Sequence, residues 1–370
     1  MKNLSPQTHC VHTGTQFDEQ TQGVNSPIYT SSAYGYLNGV RLYPRYYNLP
    51  NQKAVVEKLC ALEYAEGGLL FASGMAAITT AILALVKKGE HIVFQNNLYG
   101  GTHYFVTSDL EKYGIEFTLV EGMNPEDYAK AIQANTKLIY VETPSNPLLK
   151  VIDLQAIAEI SKANNLVSMI DNTFASPINQ NPIKLGIDVV MHSATKYLGG
   201  HSDMCAGAIV SSAKIMEKVY HTAINFGGNM DSQACYLLER SMKTLALRVE
   251  RQNQNAQKLV DFLGTQNEIS QIYYPSSDPI AHKQMSGFGG MLSFELKTID
   301  SQEFMKRLKL IFPALSLGGV ESTICSPYNT SHLKISQAER DRLGIKNSLL
   351  RFSVGIEDAN DLINDLRQAL

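Results

Sequence analysis

Between residues 69 and 210, short apolar runs alternate with longer segments whose apolar residues recur every three or four positions. HIVFQ (91–95), EFTLV (116–120), LIYVE (138–142), LVSMID (166–171), DVVMHS (188–193) and GAIV (207–210) predict buried strands. Between them, PEDYAKAIQA (125–134) and DLQAIAEISKAN (153–164) carry helical spacing, with Asp153 placed to cap the second. Such alternation predicts an α/β fold with a mostly parallel central sheet covered by helices.

The flanks differ. The first ~45 residues are rich in Ser, Thr, Gly, Asn and Tyr with weak periodicity, and predict an extended arm. Residues 236–262, YLLERSMKTLALRVERQNQNAQKLVDF, predict one long helix able to bridge two domains. Beyond it come a strand in GGMLSFEL (289–296), a helix near 301–309 and a last amphipathic helix, ANDLINDLRQAL (359–370). The expected division is an arm (1–48), a large domain (49–247) and a smaller α+β C-terminal domain (248–370). A chain of 370 residues with 44% hydrophobic content can bury both cores.

Charge narrows the partners. Lys plus Arg (32) nearly balances Asp plus Glu (35), and no basic block occurs, which argues against nucleic acid and anionic membrane. The N-terminus has no apolar segment of signal length, and no run reaches the roughly 18 apolar residues of a membrane span, so a cytoplasmic protein is expected. Cys10, Cys60, Cys205, Cys235 and Cys325 stand singly without a CxxC pair, which suggests reduced thiols and no metal site.

Ligands of open parallel sheets gather at the carboxyl ends of the strands. Three expected strands end in polar chemistry, VETPSNP, IDNTF and HSATKY, and would crowd Glu142, Asn146, Asp171, Asn172, Ser193, Thr195 and Lys196 at one edge. FASGMAAITTAILALV (71–86) adds Ser73, Gly74 and Met75 where a turn opens into an apolar helix, whose free N–H groups suit an anion. Alone, a strand-end lysine is usually solvated and an Asp before Asn-Thr is usually a cap. Together, a phosphate cradle, a strand-end carboxylate and a desolvated lysine suggest pyridoxal phosphate. Desolvation makes Lys196 nucleophilic enough to form a Schiff base, Asp171 can hold the pyridine nitrogen protonated, and Tyr99 in NNLYGGTHYF can lie over the ring.

ETPSNPLLKVIDL (142–154), DNTFASP (171–177), HSATKYLGGHSD (192–203), SLGGVES (316–322) and LLRFSVGIEDANDLINDL (349–366) closely resemble the trans-sulfuration enzymes, the cysteine and methionine metabolism family of pyridoxal-phosphate proteins. The resemblance runs from about residue 23 to the C-terminus. It implies fold type I, the aspartate-aminotransferase-like architecture. It further implies Lys196 as the cofactor lysine, Asp171 as partner of the pyridine nitrogen, and Tyr99 as the stacking residue. Gly74, Met75, Ser193 and Thr195 would hold the phosphate, Arg351 the substrate α-carboxylate, and Asn146 and Ser316 would flank it. Tyr43 and Arg45 in YPRYYN match arm residues that reach a neighbouring subunit's phosphate, which implies a homo-oligomer, a dimer of dimers.

Departures bear on substrate. Tyr104 and Leu315 stand where cystathionine enzymes often carry an arginine and a glutamate for the distal amino-acid group. A buried distal charge without partners is costly, so the pair favours a small or apolar distal group and a methionine γ-lyase-like elimination to 2-oxobutanoate, ammonia and a thiol. Methionine γ-lyases, however, usually have a cysteine where Gly101 stands, and NLYGGT is also similar to the sulfhydrylases. Cystathionine γ-lyase, cystathionine γ-synthase, O-acetylhomoserine sulfhydrylase, cystathionine β-lyase and a non-catalytic cofactor-binding regulator stay open. YPRYYNLPNQ and STICSPYNTSH (322–332) also depart from the family pattern, at the arm and near the substrate entrance.

Overall fold

The computed structural model describes residues 4–330 and 337–370. The last two residues of the STICSPYNTSH segment and the first three of the arm lie outside them. Seven strands form the central sheet: β1 (Gly67–Phe71), β2 (His91–Gln95), β3 (Glu116–Val120), β4 (Thr136–Glu142), β5 (Val167–Asp171), β6 (Val189–His192) and β7 (Gly207–Ser211), in the order β1-β7-β6-β5-β4-β2-β3. Every pairing from β6 to β3 is parallel, and β7 alone runs against its neighbours β6 and β1.

Both faces of this sheet are buried, as the continuous apolar runs require. Along β4, Ile139 and Val141 enter one core while Leu138 and Tyr140 enter the other, and Ile170 and Met169 divide the same way on β5. Asp153 does cap the helix Leu154–Ala163, accepting from Ala156 N at 3.1 Å.

A second sheet, β10-β11-β12-β9-β8, comprises β8 (Ile269–Tyr273), β9 (Met291–Leu296), β10 (Phe312–Pro313), β11 (Thr323–Cys325) and β12 (Leu349–Ser353). Leu350 and Phe352 of β12 pack with Leu292 and Phe294 of β9 and with Leu362 and Leu366 of the helix Ala359–Ala369. Strand alternation therefore turns Arg351, between Leu350 and Phe352, to the opposite face.

Several expectations need correction. The single helix over 236–262 is two, Ser232–Met242 and Leu245–Leu263. The chain tightens at the break, where Lys243 N donates to Arg240 O and Thr244 N to Ser241 O, while Arg248 Nη2 also takes the Ser241 carbonyl. The second of these helices runs across 247/248 and joins the two cores, with Val249 in the central one and Leu259 in the C-terminal one. The arm is not wholly extended: Pro6–His12 is helical, and the buried Lys58 Nζ satisfies the carbonyl of Cys10 at 2.7 Å. The helix expected over 125–134 stops at Lys130, where Gln133 N turns to Thr136 Oγ1. Among the described residues, no helix is long and apolar enough to cross a membrane.

Candidate active site

The carboxyl ends of β4, β5 and β6 do converge. Glu142 and Asp171 are paired residues on adjacent parallel strands, and His192 ends the next strand before Ser193 and Lys196. Asp171 is buried and accepts from Thr173 N at 3.0 Å. Burial raises its carboxyl above the ordinary aspartate value, opposed by the bonds from Thr173 and by the charges of His192 and Lys196. Thr173 was not singled out in the sequence. Its hydroxyl also accepts from Ser193 N at 2.8 Å, so it joins the Asp171 and Lys196 segments.

Lys196 sits in a tight turn: its own N–H donates to Ser193 O at 3.0 Å and its carbonyl accepts from Gly200 N at 2.7 Å. Its Nζ donates to Ser316 Oγ at 2.8 Å. Burial pulls the ammonium down to about 8, aided by the Arg351 charge and opposed by Cys205 and Asp171. Ser316 reaches it from a left-handed backbone, φ 77°, a strained conformation for a residue with a Cβ. Two residues on, Gly318 (φ 77°) presses so close that a Cβ there would lie 2.8 Å from Tyr197 N.

Ser73 caps the helix Gly74–Leu85, accepting from Ala76 N at 3.1 Å, which leaves the earlier N–H groups of that end for an anion. A Cβ on Gly74 would sit 2.9 Å from Ser193 Cβ and 3.0 Å from its Oγ, so glycine is what lets the hydroxyl and the helix end share one place. Thr195 Oγ1 is tied to Ala206, donating to its carbonyl at 3.1 Å and accepting from its N–H at 2.9 Å.

Arg351 closes the other side. Its Nη1 donates to Asn146 Oδ1 at 2.9 Å and its Nη2 to Ser316 O at 3.3 Å, while its buried Nε has no protein partner. A buried guanidinium donor left over in this way is suited to a carboxylate from outside the chain.

The family described as Cys/Met metabolism PLP-dependent enzyme matches residues 7–370. The chain belongs to this family. It is 43% identical to a cystathionine gamma-lyase of Bacillus subtilis (strain 168), covering 99% of each chain. It is 42% identical to a cystathionine beta-lyase of Lactococcus lactis subsp. cremoris (strain MG1363), again over 99% of each. A solved structure of cystathionine gamma-lyase from Lactobacillus plantarum complexed with L-serine superposes with TM-score 0.95 at 39% identity, covering 99% of this chain and 98% of that one. The fold is therefore type I, and the protein is a pyridoxal-phosphate-dependent enzyme of carbon–sulfur chemistry.

The residues present fit the family's cofactor: an anion-ready helix end pinned to Ser193, a strand-end carboxylate and a half-buried lysine amine stand at one sheet edge. Tyr99 joins them through its main chain, its N–H donating to Glu142 Oε2 at 2.7 Å, and its ring leans toward Gly101. A Cβ at position 101 would lie 2.5 Å from Tyr99 Cε1 and 3.1 Å from Met75 Sδ, so the side chains of Tyr99 and Met75 close over this glycine.

Other expected residues are not brought to Lys196 within one chain. The Arg45 guanidinium donates to the Ile224 carbonyl and stacks near Tyr43 and Tyr46, 5.7 and 5.5 Å from their ring centres. Leu315 (64% exposed) and Tyr104 (51%) are open to solvent. Leu315 lines a groove of about 290 Å³ beside Ser316 and Thr195, together with Met204, Phe312 and Glu321. Glu321, whose carboxylate accepts from Ser202, was not singled out in the sequence as a groove residue. Within the single chain, the two residues from which a small or apolar distal group was expected both border open space.

Proposed function

We propose that this enzyme cleaves a carbon–sulfur bond in a thioether L-amino acid whose distal end is polar, with L-cystathionine as the type substrate. The observation that carries the choice is the open groove. In it a distal ammonium can face Glu321 while a distal carboxylate stays hydrated, so the desolvation penalty that disfavoured a charged tail does not arise. The names of the relatives support the same substrate class for this chain.

Arg351, with two nitrogens already aimed by Asn146 and Ser316, binds the α-carboxylate through the remaining donors. Gly74, Met75, Ser193 and Thr195 would hold the cofactor's phosphate, and Asp171 would keep its ring nitrogen protonated. Bound pyridoxal phosphate supplies the electron sink that makes the α-proton acidic. Lys196 Nζ, steered by Ser316 Oγ, takes that proton and returns it along the carbon chain, since an amine lowered to about 8 is free for part of the time near neutrality. Tyr99 covers the ring and assists at the substrate amine or the departing thiolate. Tyr43 and Arg45, turned away from Lys196 in their own chain, serve the phosphate of a second copy.

Gly101 and Leu315 pull the second reading in opposite directions. Leu315 favours a small apolar tail such as that of methionine, whereas a side chain at position 101, where methionine γ-lyases usually have a cysteine, would require Tyr99 to shift. The deciding experiment supplies L-cystathionine and L-methionine separately to the loaded enzyme and quantifies 2-oxobutanoate, pyruvate and thiol. Preference for cystathionine is expected. 2-Oxobutanoate with cysteine marks γ-cleavage and pyruvate with homocysteine marks β-cleavage. Turnover of methionine alone would overturn the reading.

A further inference from the structure

Glu142 has no role in the chemistry above, yet its carboxylate holds two segments of the site at once. It ends β4 at 4% exposure, and its backbone is fixed on both sides by Gln95 at the end of β2: Glu142 N donates to Gln95 Oε1 at 3.1 Å, and Gln95 Nε2 donates to Glu142 O at 2.9 Å. The side chain spends both oxygens on main-chain donors from two different loops. Oε2 accepts from Tyr99 N at 2.7 Å and Oε1 from Asn146 N at 3.1 Å. Tyr99 is the N-cap residue of the helix Gly100–Ser108, and Asn146 carries the amide oxygen that orients Arg351.

We propose that Glu142 is a positioning residue that locks the ring-covering Tyr99 and the Arg351-orienting Asn146 into one unit through a two-armed carboxylate bridge. The proposal rests on the site reading given above and extends it from the groups that meet cofactor and substrate to the group that sets their spacing. Two acceptor oxygens are essential to it. A carboxamide supplies one acceptor and one donor, so one of the two N–H groups would face another N–H and lose its bond. Burial and the neighbouring Asp171 raise the Glu142 carboxyl, and the bonds from Tyr99 and Asn146 oppose that rise, as expected where two N–H groups favour the anion.

The test is E142Q in the cofactor-loaded enzyme, read in two ways. Hydrogen exchange should accelerate at whichever of the Tyr99 and Asn146 amides meets the carboxamide nitrogen, and not at the other. The constant served by the lost arm, the KM for the thioether substrate if it is the Asn146 arm or the Kd for pyridoxal phosphate if it is the Tyr99 arm, should rise roughly tenfold, the scale of one lost charge-assisted bond. In an N146A background E142Q should add little further to KM, and in a Y99A background little further to the cofactor Kd, because the bridge has already lost that arm's effect. Full additivity in both backgrounds, or a lower melting temperature with unchanged exchange, KM and Kd, would overturn the proposal and leave Glu142 as a strand-end cap. Should E142Q not fold, E142D decides: one methylene shorter but still charged, it should free one amide to exchange and keep the other, and protection of both would sink the bridge. If wild type turns over no thioether yet the exchange results hold, the substrate reading fails while the bridge stands.

Discussion

Residues 192–200 and residues 13–43 are both irregular in backbone and rich in Ser, Thr and Gly, yet they end up in opposite conditions. In the first stretch the chain closes on itself: Thr195 N, Lys196 N, Gly199 N and Gly200 N all find carbonyls, and Arg248 donates to the carbonyls of Tyr197 and Leu198. Tyr197 and Leu198 are buried. The arm has a few anchors, such as Ser26 Oγ on Glu239 and Asn51 on Pro27 O and Tyr29 N, but many of its large apolar side chains stay exposed. Leu37 is 93% exposed and Val24 79%. Composition does not separate the two segments; available partners do. A segment that presents this many large apolar groups is suited to a surface the single chain does not provide. We propose that a second copy of the chain supplies it.

The largest effect should come from joining the two regions in one experiment. K196A removes the amine on which proton movement depends and should lower turnover by roughly 10³-fold or more. R45A, at the arm end, should also impair turnover if Arg45 serves a neighbour's phosphate. Mixing the two inactive variants, with dissociation and reassociation, should recover activity, because a hybrid pair contains one site with both Lys196 and Arg45. Activity no greater than the sum of the separate variants would show that the arm does not act across copies.

A smaller, sharper effect concerns the self-contained region alone. Only the free amine of Lys196 can add to the cofactor aldehyde, so uptake of pyridoxal phosphate by the apoprotein should rise with pH through about 8. The sign follows from burial and the Arg351 charge, which both disfavour the ammonium form. R351M should therefore move the midpoint upward, toward the ordinary lysine value, as followed by absorbance. A midpoint that stays put would mean that the Arg351 charge does not reach Lys196.

What was legible in the chain follows the same division. β2 was readable to the residue because a uniformly apolar run between His91 and Gln95 leaves one register for a buried strand, and the edge strand β3 because its β-branched and aromatic residues form one short run. Asp171 was readable because it closes a strand run, and Lys196 because it follows one within the next turn. The break at Lys243–Thr244 was not: the apolar spacing continues through it, and the cause is Arg248 competing for the Ser241 carbonyl. The helix Pro6–His12 was also hidden, since it carries few apolar residues and its last carbonyls depend on Lys58, far along the chain. β1 begins with two glycines and gains its place from pairing with β7. The sequence marked Glu142 as an acid at a strand end. Its partners are main-chain N–H groups, which every residue but proline carries, and so they leave no trace in the letters.

The smallest expected effect is the one that tests the arm most directly. L37S replaces a side chain that is 93% exposed in one chain, and substitutions at such positions ordinarily shift stability by no more than about 0.5 kcal/mol. A dilute sample in which copies are separated should therefore melt as wild type does. If a second copy covers Leu37, however, the substitution forfeits the burial of a leucine, about 1.5–3 kcal/mol, and sedimentation should record a weaker association by roughly tenfold or more. The concentration dependence discriminates, because an effect internal to the chain is the same at every concentration, whereas loss of an intermolecular contact enters only through the association equilibrium. Equal association constants for L37S and wild type would place Leu37 outside any interface, and the arm's exposed apolar residues would need another explanation.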